Sequence, residues 1–482
     1  MMFFISDIHY IGGAEDAGYS LIAWQLSEGK GFQTTTVLYF YTIYPSVTHP
    51  DDTSPPLYPL LLALLYKIIG ISVLISKIPN LALQFIILPL IVYSLGKYWY
   101  SKRVGFIAAL LTMYSPLAIP VSLHVEAEPL YTTFTLLTAL FFTKSIKKPK
   151  FTIIVGILLA FTILTKYTGI LLILSIITIY AWGSFTQRIQ PTRYLLFATI
   201  IFLIITLPWF VRNIDLYGDP IFSVNKYNAV VLAQGGRTGA MYWNTTLPSY
   251  KEYIQQKPIL EITQLVLNKF KAYIIALFPL HILAIFGLFI TRGASKWFIG
   301  TLYVYNSIFH TTYWVFEYGY MMPLAPLLTL VSIHAIFNIS SFYQPRIRPK
   351  IEIPIILLLY GAILFLYIFT AIKFSSITTG YYENPGYPYE NTPETESALR
   401  AAEWASSNLP SDAIIITKRP RGFSYHSKLQ TIYNNENITD ILAISSQYNA
   451  KYVQCPSQPS KEFMQIYSYN SYSLCIINTL KN

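Results

Sequence analysis

Glu15 and Asp16 stand side by side at the head of a stretch, AEDAGYSLIAWQLSEGKGF, that reads as a short helix opened by Gly12-Gly13. Leu21, Ile22 and Leu26 give this helix an apolar side, and Gly29 and Gly31 stop it. Two carboxylates in a first turn complement the helix dipole, and many do nothing else. They are also groups that take protons from hydroxyls. Neighbouring residues diverge by roughly 100° around a helix, so the two cannot aim at one atom; one should face an opening and the other a partner. Further along, Glu128 stands at the mouth of an apolar run with Glu126 and His124 nearby and Pro129 behind it. A solvated boundary acid, a helix cap and a substrate contact all fit that pattern. Arg212 falls at the end of another apolar run, and Lys166 is the only basic residue of a short turn. Each either snorkels to lipid head groups or binds an anion. His49 is a lone loop histidine, either solvated or a substrate contact. Tyr39, Tyr41 and Tyr44 fit an interfacial aromatic belt.

These groups need elements to place them, and composition says what kind. Of 482 residues, 54% are hydrophobic and only 12% charged, with mean hydropathy +0.44. Soluble domains carry roughly 25% charged residues, so the chain reads as a polytopic α-helical membrane protein. Its net charge of +11 resides in short clusters between apolar runs, the pattern of cytoplasmic loops and not of a nucleic-acid partner. Cys455 and Cys475 are the only cysteines, and no CxxC or Cys/His cluster offers a zinc site. The opening MMFFISDIHY lacks the basic region and apolar length of a signal peptide, though Phe3-Phe4-Ile5 fits the stump of a longer apolar segment.

Apolar runs at about 73–96, 104–121, 129–143, 151–165, 168–186, 194–212, 272–290, 297–315, 320–340 and 352–373 predict ten spans. Their connections alternate. Lys97/Lys102/Arg103, Lys144/Lys147/Lys148/Lys150, Arg188/Arg193, Arg292/Lys296 and Arg346/Arg348/Lys350 fall in one set; the short connections of the other set hold Lys166 alone. The positive-inside rule then places the opening helix, a large loop at 213–271 and the C-terminal region on the extracytoplasmic face. The same parity makes 55–70 a juxtamembrane or re-entrant helix. Three regions result: 1–72, an outer loop with juxtamembrane helices; 73–373, the transmembrane domain; and 374–482, a soluble α/β domain. The last should have helices near 394–408 and 438–448 and strands near 413–417, 451–454 and SLCII. A lid or an acceptor-docking module is the natural guess for its role. On an oxidising outer face Cys455 and Cys475 can pair, with two buried thiols nearly as well supported.

With this layout in view, the sequence resembles the GT-C glycosyltransferases of the protein-mannosyltransferase and aminoarabinose-transferase type, membrane enzymes that use polyprenyl-phosphate sugars. The likeness runs through AEDAGYSLIAWQLSEGKGF, HPDDTSPPLYPLLLALLYKIIG, EPLYTTFTLLTALFF, LPWFVRNIDLYGDPIF, EYGYMMPLAPLL and ESALRAAEWASSNLPSDAIIIT, and so spans nearly the whole chain. It departs in having Glu15 before Asp16 where the family has aspartate first. It also lacks the arginine expected around Glu317-Tyr318-Gly319-Tyr320.

The resemblance implies an inverting transfer of a sugar from a polyprenyl (dolichyl-type) phosphate to a protein, lipid or glycan acceptor. It implies the acidic pair Glu15 and Asp16 as the source of the base. By position in the motif Glu15 takes that role; by residue type Asp16 does. Glu128, His49 and Tyr19 would orient acceptor or sugar, and Arg212 and Lys166 would bind the donor phosphate. No cofactor follows from the residues, and a divalent cation stays open. A competing reading is a transporter or non-catalytic carrier of a lipid-linked substrate. Transporters place charges in mid-span and often repeat internally. Here the acids cluster at the outer ends of the runs, which favours surface chemistry.

Overall fold

A computed structural model describes residues 11, 14–38, 44–115, 117–186, 193–225, 251, 255, 258–276, 280–312, 318–343, 393–434, 436–457 and 460–478. Phe3-Phe4-Ile5, Tyr39, Tyr41, Glu317, the expected span at 352–373 and most of the 213–271 loop lie outside these residues.

The opening helix forms as expected, α1 at Ala14–Ser27. After it comes α2, Leu57–Ile69, with Tyr58, Leu62, Ala63 and Tyr66 buried against α1. Its other face exposes Leu60, Leu64, Ile68 and Ile69. Thirteen residues span only about 20 Å, too short to cross a bilayer. The juxtamembrane reading of 55–70 fits this shape.

The membrane helices follow: α3 (Val73–Ala82), α4 (Leu88–Trp99), α5 (Lys102–Met113), α6 (Ala118–Leu123), α7 (Glu128–Lys147), α8 (Thr152–Thr165), α9 (Ile170–Phe185), α10 (Arg193–Tyr217), α11 (Ile259–Ala276), α12 (Leu280–Ile290), α13 (Ala294–Thr312) and α14 (Ala325–Tyr343). Among the described residues, Val73–Trp99, Tyr167–Phe185 and Arg193–Tyr217 are long and apolar enough to cross a membrane. One turn of π-helix, Leu83–Ile87, joins α3 to α4. Pro89 lacks the N–H that would reach back to Phe85, so the ladder has reason to widen there. The α10 helix buries only 11% of its apolar window and exposes Leu196, Phe197, Ile200, Leu203 and Ile204. Lipid is the solvent such a surface calls for.

Two expectations need correction. The run at 104–121 is not one span: α5 stops at Met113, and Gln84 donates to the freed Thr112 carbonyl at 2.7 Å. The 213–271 loop is shorter than expected, because α10 continues to Tyr217 and α11 begins at Ile259. Of the run at 272–290, the described residues belong to α11 up to Ala276 and to α12 from Leu280. Antiparallel α4 and α5 approach backbone to backbone, and a Cβ added to Gly96 would meet Gly105 Cα at 2.4 Å. Only glycine permits that contact.

The C-terminal region is α/β: α15 (Pro393–Asn408), β4 (Ile414–Thr417), α16 (Pro420–Ser427), β5 (Gln430–Tyr433), α17 (Ile438–Tyr448), β6 (Tyr452–Gln454), β7 (Phe463–Tyr469) and β8 (Tyr472–Ile477). The N-terminal loop carries β1 (Gln33–Thr34), β2 (Thr36–Val37) and β3 (His49–Pro50), with β1 and β3 paired antiparallel. The main sheet runs β2-β5-β4-β6-β8-β7, with the first four strands parallel. Thus β2, from the N-terminal loop, is an edge strand of the C-terminal sheet, pairing Thr36 with Thr431 and Val37 with Ile432. Val37 and Val47 complete a core with Ile416, Ile432 and Val453. Regions 1–72 and 374–482 therefore share one sheet and one core.

Cys455 and Cys475 form a disulfide between the end of β6 and its paired strand β8. Closing a loop of 20 residues stabilises a domain by about 3 kcal/mol in the chain-entropy model. Reduction should lower the unfolding free energy of the C-terminal domain by that order. Without reductant, mass spectrometry after alkylation should find no modified thiol at either position.

Candidate active site

The site is assembled from one buried amide. Asn80 on α3 accepts from the Tyr58 hydroxyl at 3.1 Å and donates to the carbonyls of His124 and Glu126 at 2.7 and 2.8 Å. This fixes the loop before α7, turning His124 toward α1. His124 Nδ1 lies 2.9 Å from Asp16 Oδ2. The Tyr19 ring stands edge-on against Tyr58 at 5.0 Å. Two adjacent acids thereby separate as helix geometry requires: Asp16 is buried with His124, and Glu15 lines a cavity.

That cavity is a small cleft of about 100 Å³, less than the roughly 300–1,000 Å³ usual for sites that bury a whole small molecule. Its wall includes Glu15, Gly18, Tyr19, Lys166, Tyr320 and Arg421. A second, smaller space adjoins it through Lys166 and Tyr320 and is lined by Glu128, Asn306 and His310. Lys166 caps α8 and forms a buried ion pair with Glu128 Oε1. Its ammonium also lies 4.8 Å above the Tyr320 ring. The other Glu128 oxygen, Oε2, is buried and has no hydrogen-bond partner among the described residues.

The electrostatics are uneven. Burial pushes the Asp16 carboxyl up, but the charges of His124 and Lys77 outweigh it and hold the carboxyl below its ordinary value. Burial, then the charges of Glu128, Glu15 and Asp16, push Glu126 well above the carboxylate range and favour its neutral form. Burial opposes the charge on Lys166, yet Glu128, Glu15 and Tyr19 hold it protonated. For Asp16 the sign is that of a depressed acid. Its contribution is present above the unfolded value near 3.8 and is lost as pH falls through the lower folded one. Asp16→Asn should therefore be less stable than the parent at pH 6, with the gap closing below about pH 4. Thermal unfolding across that range checks it; a constant gap would remove the titration from the cause.

Glu15, Glu126 and Glu128 place carboxylate oxygens within 4.8 Å of one another. Together with the buried Glu128 Oε2, this set suits a hard divalent cation, which takes oxygen ligands.

Of the residues singled out from sequence, Glu15, Tyr19 and Lys166 meet at the cavity, and Glu128 stands behind Lys166. His49 and Arg212 do not line it. His49 is buried, stacked on Tyr44 at 3.7 Å, with Nδ1 2.9 Å from the Val47 carbonyl. Arg212 lies within α10, not at its end. It donates to Asn213 Oδ1 at 2.8 Å and to the Asp51 carbonyl at 3.0 Å. Its guanidinium packs against Trp209, Phe32 and Tyr217. These contacts tie α10 to the HPDD loop, whose Asp51 carboxylate in turn accepts from the Thr53 and Ser54 amides ahead of α2. The position expected for a phosphate ligand is thus used to pin a loop.

Sequence reading missed Arg421. A signal existed: Lys418-Arg419-Pro420-Arg421 is a basic cluster in a region expected on the outer face, and proline at a first helical position announces α16.

The family described as dolichyl-phosphate-mannose-protein mannosyltransferase matches residues 53–211. ArnT from Cupriavidus metallidurans bound to undecaprenyl phosphate superposes with a TM-score of 0.59 at 11% identity, covering 98% of this chain and 97% of that one. The chain has the GT-C fold. The oligosaccharyltransferase AglB from Archaeoglobus fulgidus, in complex with an inhibitory peptide and a dolichol-phosphate, matches with a TM-score of 0.57 at 12% identity. There the match covers 92% of this chain but 65% of AglB. An oligosaccharyltransferase from Archaeoglobus fulgidus in complex with Zn and sulfate gives 0.57 at 13% identity, covering 92% of this chain and 64% of that one. No curated protein matches by sequence. The GT-C likeness read from the motifs agrees with the fold, including the α/β domain that follows the membrane helices.

Proposed function

We propose that this GT-C chain is an inverting glycosyltransferase. It would move a hexose or pentose from a polyprenyl-phosphate donor to a hydroxyl of a protein, lipid or glycan on the extracytoplasmic face. The observation that carries the reading is the joint lining of one cavity by Glu15 and Lys166 at the end of the bundle where α1 lies. Glu15 takes the acceptor's proton as its oxygen attacks the anomeric carbon. The bond from that carbon to the phosphate oxygen breaks, and the lipid phosphate leaves with the electron pair. Because this leaving group departs as an anion, the site needs a cation more than an acid. Lys166 is a buried cation in that position, with Glu128 orienting it. Asp16 and His124 hold α1 at its angle, and Tyr19 presents a polar edge to the sugar.

A divalent cation on Glu15, Glu126 and Glu128 would add Lewis-acid charge beside the departing phosphate. The three clustered carboxylates are what motivates a test for that cation, and no step above requires it. Chelation that leaves turnover intact would assign the positive charge to side chains alone.

The test is transfer of labelled sugar from polyprenyl-phosphate donors by purified protein in lipid, with the anomeric configuration of the product determined. Inversion is expected. Retention, or the absence of transfer with hexosyl and pentosyl donors alike, would overturn the reading.

A further inference from the structure

We propose that Arg421, carried by the C-terminal domain, is a donor-binding residue that holds the phosphate of the lipid-linked sugar, so that this domain completes the site. The inference rests on the glycosyl-transfer reading above and adds a residue that it does not require.

Four observations converge. Arg421 lines the same cavity as Glu15, Lys166 and Tyr320. Its side chain is buried, with 8% of the residue exposed, and arginine is seldom taken out of water on a molecule's surface without a reason. The surface of α1 is bare where the guanidinium lies. A Cβ on Gly18 would stand 3.1 Å from Arg421 Cζ and Nη1 and 3.3 Å from Nε, so glycine makes room for the fork. Finally, Arg421 enters at a fixed place. The Thr431 hydroxyl donates to the Pro420 carbonyl at 2.8 Å, and Thr35 and Ser424 hydroxyls meet at 2.9 Å. The pairing of β2 with β5 sews the same region to the N-terminal loop.

The charge balance gives the reason. Lys166 already shares its charge with Glu128, so one positive side chain of the cavity is largely neutralised from behind. The donor is a phosphodiester with one negative charge. Its departing product is a monoester, which carries about −1.5 to −2 near neutral pH. A second cation is what stabilises that increase. A guanidinium offers two parallel N–H donors to phosphate oxygens, geometry an ammonium lacks. The motif at 317–320 has no arginine, and Tyr320 from that motif shares the cavity wall with Arg421. The C-terminal domain thus sets a guanidinium at the same cavity wall as the Lys166 ammonium.

The experiment measures binding of undecaprenyl phosphate and dolichyl phosphate to the full-length protein in detergent, by tryptophan fluorescence, with thermal unfolding run in parallel. Arg421→Gln should weaken binding by roughly 10–100-fold, the range for losing a hydrogen-bonded charge. Arg421→Lys should recover part of it, and Gly18→Ala should weaken it several-fold by moving the guanidinium. Alanine favours helix over glycine, so that loss would not come from melting α1. If Arg421→Gln fails to fold, Gly18→Ala decides alone. Parent-like binding in a folded Arg421→Gln protein, or in Gly18→Ala, overturns the proposal and leaves the glycosyl-transfer reading standing. A parent protein that binds neither lipid phosphate overturns that reading and the proposal together.

Discussion

Glu15→Gln should lower turnover by about 10²–10⁴-fold, the usual worth of a positioned general base, while leaving the fold and donor binding intact. The substitution keeps size and hydrogen bonding and removes only the ability to accept a proton. Glu15 is at the cavity wall and only half-buried, so loss of its charge costs no core contact. Asp16→Asn should behave differently. Its carboxylate is buried against His124, so the expected loss is in stability and in the angle of α1. Single-turnover transfer and thermal unfolding on both variants separate these outcomes. Near-parental turnover in Glu15→Gln would reduce its carboxylate to a complement of the helix dipole.

The contrast between these two neighbours shows what a sequence does and does not disclose. Helix geometry predicts that Glu15 and Asp16 diverge. It cannot say which faces the cavity, because that depends on His124, 108 positions away. Asn80 positions His124, and Asn80 on an apolar helix carries no motif. The short helix within 55–70 was legible from its prolines and its closing glycine. The boundaries of α15, β4, α17 and β6 were legible from apolar runs between turn residues. Arg212 was not, since an arginine late in an apolar run fits a phosphate ligand and a loop anchor equally. The aromatic rings of Phe32, Trp209 and Tyr217 meet around it only in three dimensions. The sharing of a sheet between residues 36–37 and the C-terminal domain was hidden for a related reason. Two residues have no period, and their strand exists only because β5 offers an open edge. A lid or an acceptor-docking module was the guess for this domain; what the strands add is a sheet shared with the N-terminal loop.

Lys166 and Glu128 should give the largest effect on stability. Removing one member of a buried ion pair leaves an uncompensated charge and costs about 3–5 kcal/mol. Glu128 is 2% exposed and Lys166 14% at the side chain, so solvent offers little relief. Lys166→Met alone should therefore unfold at a markedly lower temperature, and its loss of transfer would be uninformative. The double variant Lys166→Met/Glu128→Gln removes both charges together, and replacing a buried pair by neutral groups of similar size is often close to neutral for stability. It should recover most of the melting temperature. Transfer should stay depressed, because the departing phosphate then faces Arg421 without the ammonium beside it. Recovery of both stability and turnover in the double variant would make the pair a structural bridge between α7 and α8. The leaving-group charge would then fall to other groups of the cavity.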